Sequence, residues 1–226
     1  MDPLILILMI GLPLISQLVS RQLRARFVRF SRDPMPLSGR EVAERMLAER
    51  GIHDVKIIST RGQLTDHYNP RDKTVNLSEV VYNQSNVAAA AVAAHEVGHA
   101  VQHATRYPFL TARSKLVPLL KLSNMALPFL AFGGSGLFAY MGSPLLAYAF
   151  IGLLAAPALF SLVTLPVEFD ASRRALEWME ESGLAMGRQH GGAKNALFWA
   201  AMTYVVAALG SIAQVLYFAR FFLRRR

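Results

Sequence analysis

Apolar and polar positions fall in long blocks along this chain rather than alternating residue by residue. Residues 3–20 are uncharged apart from a basic flank that follows them, mostly apolar, and just long enough to cross a bilayer. Residues 122–167 contain no Asp, Glu, Lys, Arg or His. One crossing needs ~20 residues, so this block predicts two spans with a tight turn at Gly142, Ser143 and Pro144. Residues 196–219 are a further uncharged stretch, with Trp199 and Tyr217 near its ends as an aromatic belt would place them. The pattern therefore predicts about four spans and two polar segments, 31–115 and 168–195.

Shorter periods mark elements inside the larger polar segment. Ser38-Gly-Arg-Glu41 reads as a capping box opening a helix that Gly51 closes. Residues 54–59, DVKIIS, read as a strand. Asn69-Pro70-Arg71-Asp72 then forms a turn between two short strands. Ser85 is placed to cap an alanine-rich helix that follows.

Composition strengthens the membrane class. The 226 residues are 53% hydrophobic and only 17% charged, and mean hydropathy is positive. No cysteine is present, which excludes disulfides and thiolate zinc sites. Net charge is +9, yet the arginines sit at the ends of apolar runs, as topology requires, so nucleic acid is not an expected partner. If all four spans cross, residues 21–29 and both polar segments share one side. They hold 19 of the 24 Lys and Arg, which places that side in the cytoplasm. Asp2 ahead of the first apolar run argues for an uncleaved anchor rather than a signal peptide.

The chemistry lies in residues 87–103, VAAAAVAAHEVGHAVQH. His95 and His99 are four apart and share one helix face, where two imidazoles can bind one Zn²⁺. Glu96 lies to the side, placed to take a proton from water that the metal acidifies. His103 is two turns beyond His95, ~12 Å along the axis, so one ion cannot hold all three histidines. A catalytic zinc wants a third protein ligand, and the candidates stand in LPVEFDASRRALEWME: Glu168 and Asp170. Pro166 suits the start of a helix that would carry them.

HEVGH followed by EFDAS, in a small chain with four apolar blocks, closely resembles the YugP-like neutral zinc metallopeptidases of bacterial membranes. The resemblance covers nearly the whole chain, including LTDHYNPR and LPVEFDASRRA. More distantly, the two motifs resemble the heat-shock membrane proteases and the prenyl-protein endopeptidases. The resemblance implies His95, His99 and Glu168 as zinc ligands and Glu96 as the catalytic base. Where the distant pattern has Asp, this chain has Ser172; if that Asp orients a metal-bound histidine, either Ser172 does so through a weaker, neutral hydrogen bond or another group does. Helix phase agrees on the third ligand. Glu168 shares a face with small Ala171, Ser172 and Ala175, whereas Asp170 shares one with Arg173, Arg174 and Glu177 and is expected in water.

The expected protein is thus an α-helical integral membrane protein with a small α+β, zincin-like (gluzincin) catalytic part. Its expected segments are an anchor and basic flank over 1–30, a catalytic part over 31–115 and a transmembrane hairpin over 116–167. A third-ligand helix and loop follow over 168–195, then a last span and basic tail over 196–226. The expected activity is zinc-dependent endopeptidase action on a membrane-associated polypeptide, at the cytoplasmic face of the bacterial plasma membrane. An intramembrane protease is the enzymatic alternative, but only eight apolar residues precede His95, far short of a span. A metal-binding sensor is the other, and it would need no Glu96. His67, Tyr68 and His190 are lesser candidates for stabilising an oxyanion, and His53 reads as a surface residue.

Overall fold

The computed structural model describes residues 3–132 and 144–223. It is mostly helical with one small sheet. The helices are α1 (Pro3–Leu6), α2 (Leu12–Phe30), α3 (Gly39–Glu49), α4 (Glu79–Asn83), α5 (Val87–Ala104), α6 (Pro108–Phe132), α7 (Pro144–Glu181) and α8 (Gly187–Leu223). A π-helical turn, Ile7–Gly11, joins α1 to α2. The strands are β1 (Lys56–Thr60), β2 (His67–Asn69) and β3 (Thr74–Ser78). By length and composition, the helical segments Leu145–Glu181 and Gly187–Phe222 are long and apolar enough to cross a membrane. The first apolar block is instead interrupted by the π-helical turn, and α6 carries Arg113, Lys115 and Lys121 within its length. Of the expected turn at Gly142, Ser143 and Pro144, the first two residues lie outside the described residues; Pro144 begins α7.

The chain divides into two compact units. One gathers Met1–Leu18, Thr111–Leu165 and Thr203–Arg226; the other gathers Val19–Leu110 and Pro166–Met202. Among the described residues the first unit is built from helical segments, and aromatic rings pack within it, Phe150 edge-on to Phe218 at 4.9 Å. The second holds the sheet and all the residues of the candidate site.

In the second unit the sheet order is β1-β3-β2, with β1 parallel and β2 antiparallel to β3. The turn expected at 69–72 joins β2 to β3, and Arg71 N–H donates to Asn69 Oδ1 at 3.0 Å within it. Central β3 is buried along its whole length. Helix α3 opens on the expected capping box, with Ser38 N–H donating to the Glu41 carboxylate at 2.7 Å. It ends before Gly51, whose φ of +67° is the left-handed conformation that glycine adopts without strain. Val42, Ala43, Met46 and Leu47 of α3 pack with the alanines of α5, Val75 and Leu77 of β3, and Trp178 and Met179 of α7 in one core.

Two local expectations are corrected. The cap of α5 is Asn86, not Ser85. Asn86 has the extended backbone a cap needs, and its side-chain oxygen accepts from Ala89 N–H at 2.9 Å, while the Ser85 carbonyl is taken by Met35 N–H. Pro166 does not start a helix. Helix α7 runs unbroken from Pro144 and takes both Pro157 and Pro166 into its interior.

Candidate active site

Helix α5 is hydrophobic nearly all round and is correspondingly buried. Its alanines allow other elements to approach its backbone closely. At Gly98 the approach is extreme: a Cβ there would stand 2.6 Å from the Ala171 carbonyl oxygen of α7. This contact brings the carboxylate of α7 onto the histidine face of α5.

His95, His99 and Glu168 converge there, with one ligand atom from each lying within 4.8 Å of the others. Glu168 Oε2 is 3.4 Å from His95 Nε2 and 3.7 Å from His99 Nε2. The edge of a tetrahedron drawn around zinc with bonds of ~2.0–2.1 Å is about 3.3 Å. The two carboxylate–imidazole separations are therefore close to those of ligand atoms sharing one ion, and two imidazoles with one carboxylate are a fitting donor set for zinc. Glu168 is 2% exposed and His99 7%. Burial opposes the charged form of His99, but Glu168 and Glu96 beside it outweigh that and raise its pKa. The local field thus favours positive charge between these groups.

Each imidazole is held from behind. Ser172 Oγ lies 3.1 Å from His95 Nδ1, so the neutral hydrogen bond expected of that residue is present. His99 Nδ1 lies 3.0 Å from Gln102 Oε1. Glu96 is 7% exposed and sits about 100° around the helix from His95, off the ligand face.

Asp170 departs from expectation. It is not in water: its side chain is only 10% exposed. It accepts from Gln102 Nε2 at 2.9 Å and Arg174 Nε at 2.6 Å, and from Arg173 as well. The expected charge pairs exist, but α5 covers the carboxylate through Gln102. The sequence reading missed Gln102. Its signal was a lone uncharged polar residue in an apolar run, three residues after His99 and on the same face.

Among the described residues, none of the remaining candidates joins that group of ligand atoms. His103 Nδ1 is 2.8 Å from Tyr68 Oη on β2. Burial, aided by Asp54, pushes the Tyr68 phenol up to about 12. His67 is exposed and bonds the Thr65 carbonyl oxygen through Nδ1 at 2.8 Å. His190 faces Glu180 at 3.9 Å, and His53 is exposed as expected.

No solved structure matches the chain. It is 41% identical over 189 residues to the "Putative membrane protease YugP" of Bacillus subtilis (strain 168), covering 84% of this chain and 82% of that protein. A family described as "Putative neutral zinc metallopeptidase" matches residues 5–223, nearly the full length. A match of that extent, on a chain whose two HEVGH histidines meet a downstream glutamate in space, establishes that this protein belongs to that zinc metallopeptidase family.

Proposed function

We propose that the protein is a membrane-tethered endopeptidase in which His95, His99 and Glu168 hold the zinc and Glu96 moves the proton. The observation that carries this reading is the convergence of those three ligand atoms on one buried point. Zinc held there would supply Lewis acidity towards a water and the scissile carbonyl. Glu96 takes the proton from the attacking water and passes it to the leaving amine. Ser172 and Gln102 keep the two imidazole planes fixed, and Gly98 admits the helix that supplies Glu168.

The substrate class follows from tethering. Glu168 stands near the charged end of α7, a helix whose preceding residues 144–167 are uncharged. The charge count of the polar segments supports a cytoplasmic site, and the relative from Bacillus subtilis is named a membrane protease. We therefore assign membrane-associated polypeptides, at the cytoplasmic face of the bacterial plasma membrane, as substrates. Packing argues against cleavage within a span, because α5 is enclosed in a core with α3 and β3. Glu96→Gln is the direct test. It keeps both histidines and should retain zinc while lowering peptide cleavage by about 10²–10⁴. Cleavage at the wild-type rate would remove Glu96 from the reaction.

A further inference from the structure

Gln102 is fully buried, yet it carries two donors and an acceptor that must all be satisfied. Its amide nitrogen lies 2.7 Å from the Val167 carbonyl oxygen and 2.9 Å from Asp170 Oδ2. Both of those groups accept hydrogen bonds when Asp170 is ionised, and Arg173 and Arg174 hold that carboxylate on its other side. Only the NH₂ end of the amide can face them. The orientation of Gln102 is therefore fixed by its partners, and Oε1 must point at His99.

An amide oxygen can only accept. His99 Nδ1, 3.0 Å away, must then carry the hydrogen. In the neutral ring that a metal would need, Nε2 is then the nitrogen left to face the point where the ligand atoms meet. The chain Val167/Asp170–Gln102–His99 thus selects one tautomer and one ring plane. A neutral amide stands between the histidine and the carboxylate, so Asp170 acts on His99 through Gln102 rather than by touching it.

We propose that Gln102 is a positioning residue that sets His99 in its metal-binding tautomer, with Asp170 and the Val167 carbonyl as the anchor that locks the amide. This rests on His99 being a zinc ligand. Neither Gln102 nor Asp170 is a ligand itself, and neither reaches the reacting atoms.

The test measures zinc affinity of the full-length protein by chelator competition, with the visible absorption of the Co²⁺-substituted protein as a record of ligand geometry. Gln102→Met keeps the length and bulk of the side chain and removes both hydrogen-bonding ends. It should weaken zinc by about 10- to 100-fold and change the Co²⁺ spectrum. Asn86→Ala, which removes the cap of the same helix, serves as a purely structural control and should leave zinc affinity within about threefold and the spectrum unchanged. Equal losses in the two variants, or wild-type affinity in Gln102→Met, would overturn the proposal. Should Gln102→Met not fold, Asp170→Ala decides by the same two readings: a loss of about three- to tenfold supports it, and an unchanged affinity and spectrum overturn it. His99→Ala completes the set. Full zinc binding in that variant would instead overturn the metal-site reading on which the proposal stands.

Discussion

Replacing Gly98 by alanine adds one methyl group to a helix that otherwise welcomes alanine. The new Cβ would lie 2.6 Å from the Ala171 carbonyl oxygen and 3.1 Å from Ala171 Cα. Ordinary contact begins near 3.4 Å, so the helices must separate by about 0.8 Å along that line. Neither atom belongs to a side chain that could rotate away. Overpacking of this kind costs about 1–3 kcal/mol. Alanine returns about 0.8–1.0 kcal/mol of helix propensity relative to glycine. The net loss of stability should be small, between about zero and 2 kcal/mol. The metal site has less tolerance, because zinc–ligand distances hold to within about 0.2 Å. A shift of α7 several times that size carries Glu168 away from both histidines. Gly98→Ala should therefore fold, melt within several degrees of wild type, and bind zinc at least tenfold more weakly by chelator competition. A variant that folds and binds zinc as tightly as wild type would show that the Gly98–Ala171 contact does not set the ligand spacing.

Other outcomes follow from the same geometry. Glu168→Ala should remove most of the zinc and abolish cleavage, with metal content read directly on purified protein; retained zinc would disqualify it as a ligand. Ser172→Ala deletes the single hydrogen bond to His95 Nδ1 and should weaken zinc by about tenfold, while Ser172→Thr, which keeps the hydroxyl, should restore most of it. A cysteine at Arg61 in this cysteine-free chain should resist a membrane-impermeant thiol reagent in intact cells and react after lysis. Labelling before lysis would reverse the orientation.

The parts of the fold written in local chemistry were legible. The capping box at Ser38, the left-handed Gly51 and the 69–72 turn each depend on residues a few positions apart. The convergence of His95, His99 and Glu168 was legible for a related reason. Helical spacing puts the two histidines on one face, and the small residues beside Glu168 mark the face that can approach another helix. What failed required a partner distant in sequence. Asp170 reads as solvated because its arginines are its neighbours, and nothing local reveals that Gln102 closes over it from 68 residues away. Pro166 reads as a start because proline is favoured at the first helical position, whereas here the helix was already under way from Pro144. Ser85 and Asn86 are equivalent caps by type, and only the backbone geometry separates them.

The stretch from His95 to His103 faces four ways, because successive residues of a helix turn by about 100°. Taking His95 as zero, His99 lies at about 40°, and these two form the ligand face. Gly98 lies at about −60° and Gln102 at about −20°. Both meet α7, the first at Ala171 and the second at Val167 and Asp170. His103 lies at about 80° and Glu96 at about 100°. That is the side on which Tyr68 of β2 meets His103. Val97 falls at about 200° and Ala100 at about 140°. These two join the hydrophobic core. The ligand face is thus bounded by α7 on one side and by the β2 side on the other. By its angle Glu96 stands on the second boundary. The phase of α5 sets Glu96 apart from the histidines that Glu168 meets, which supports the division of labour proposed for the two carboxylates. In the proposed reading, the carboxylate from the neighbouring helix holds the metal, and the one off the ligand face carries the proton.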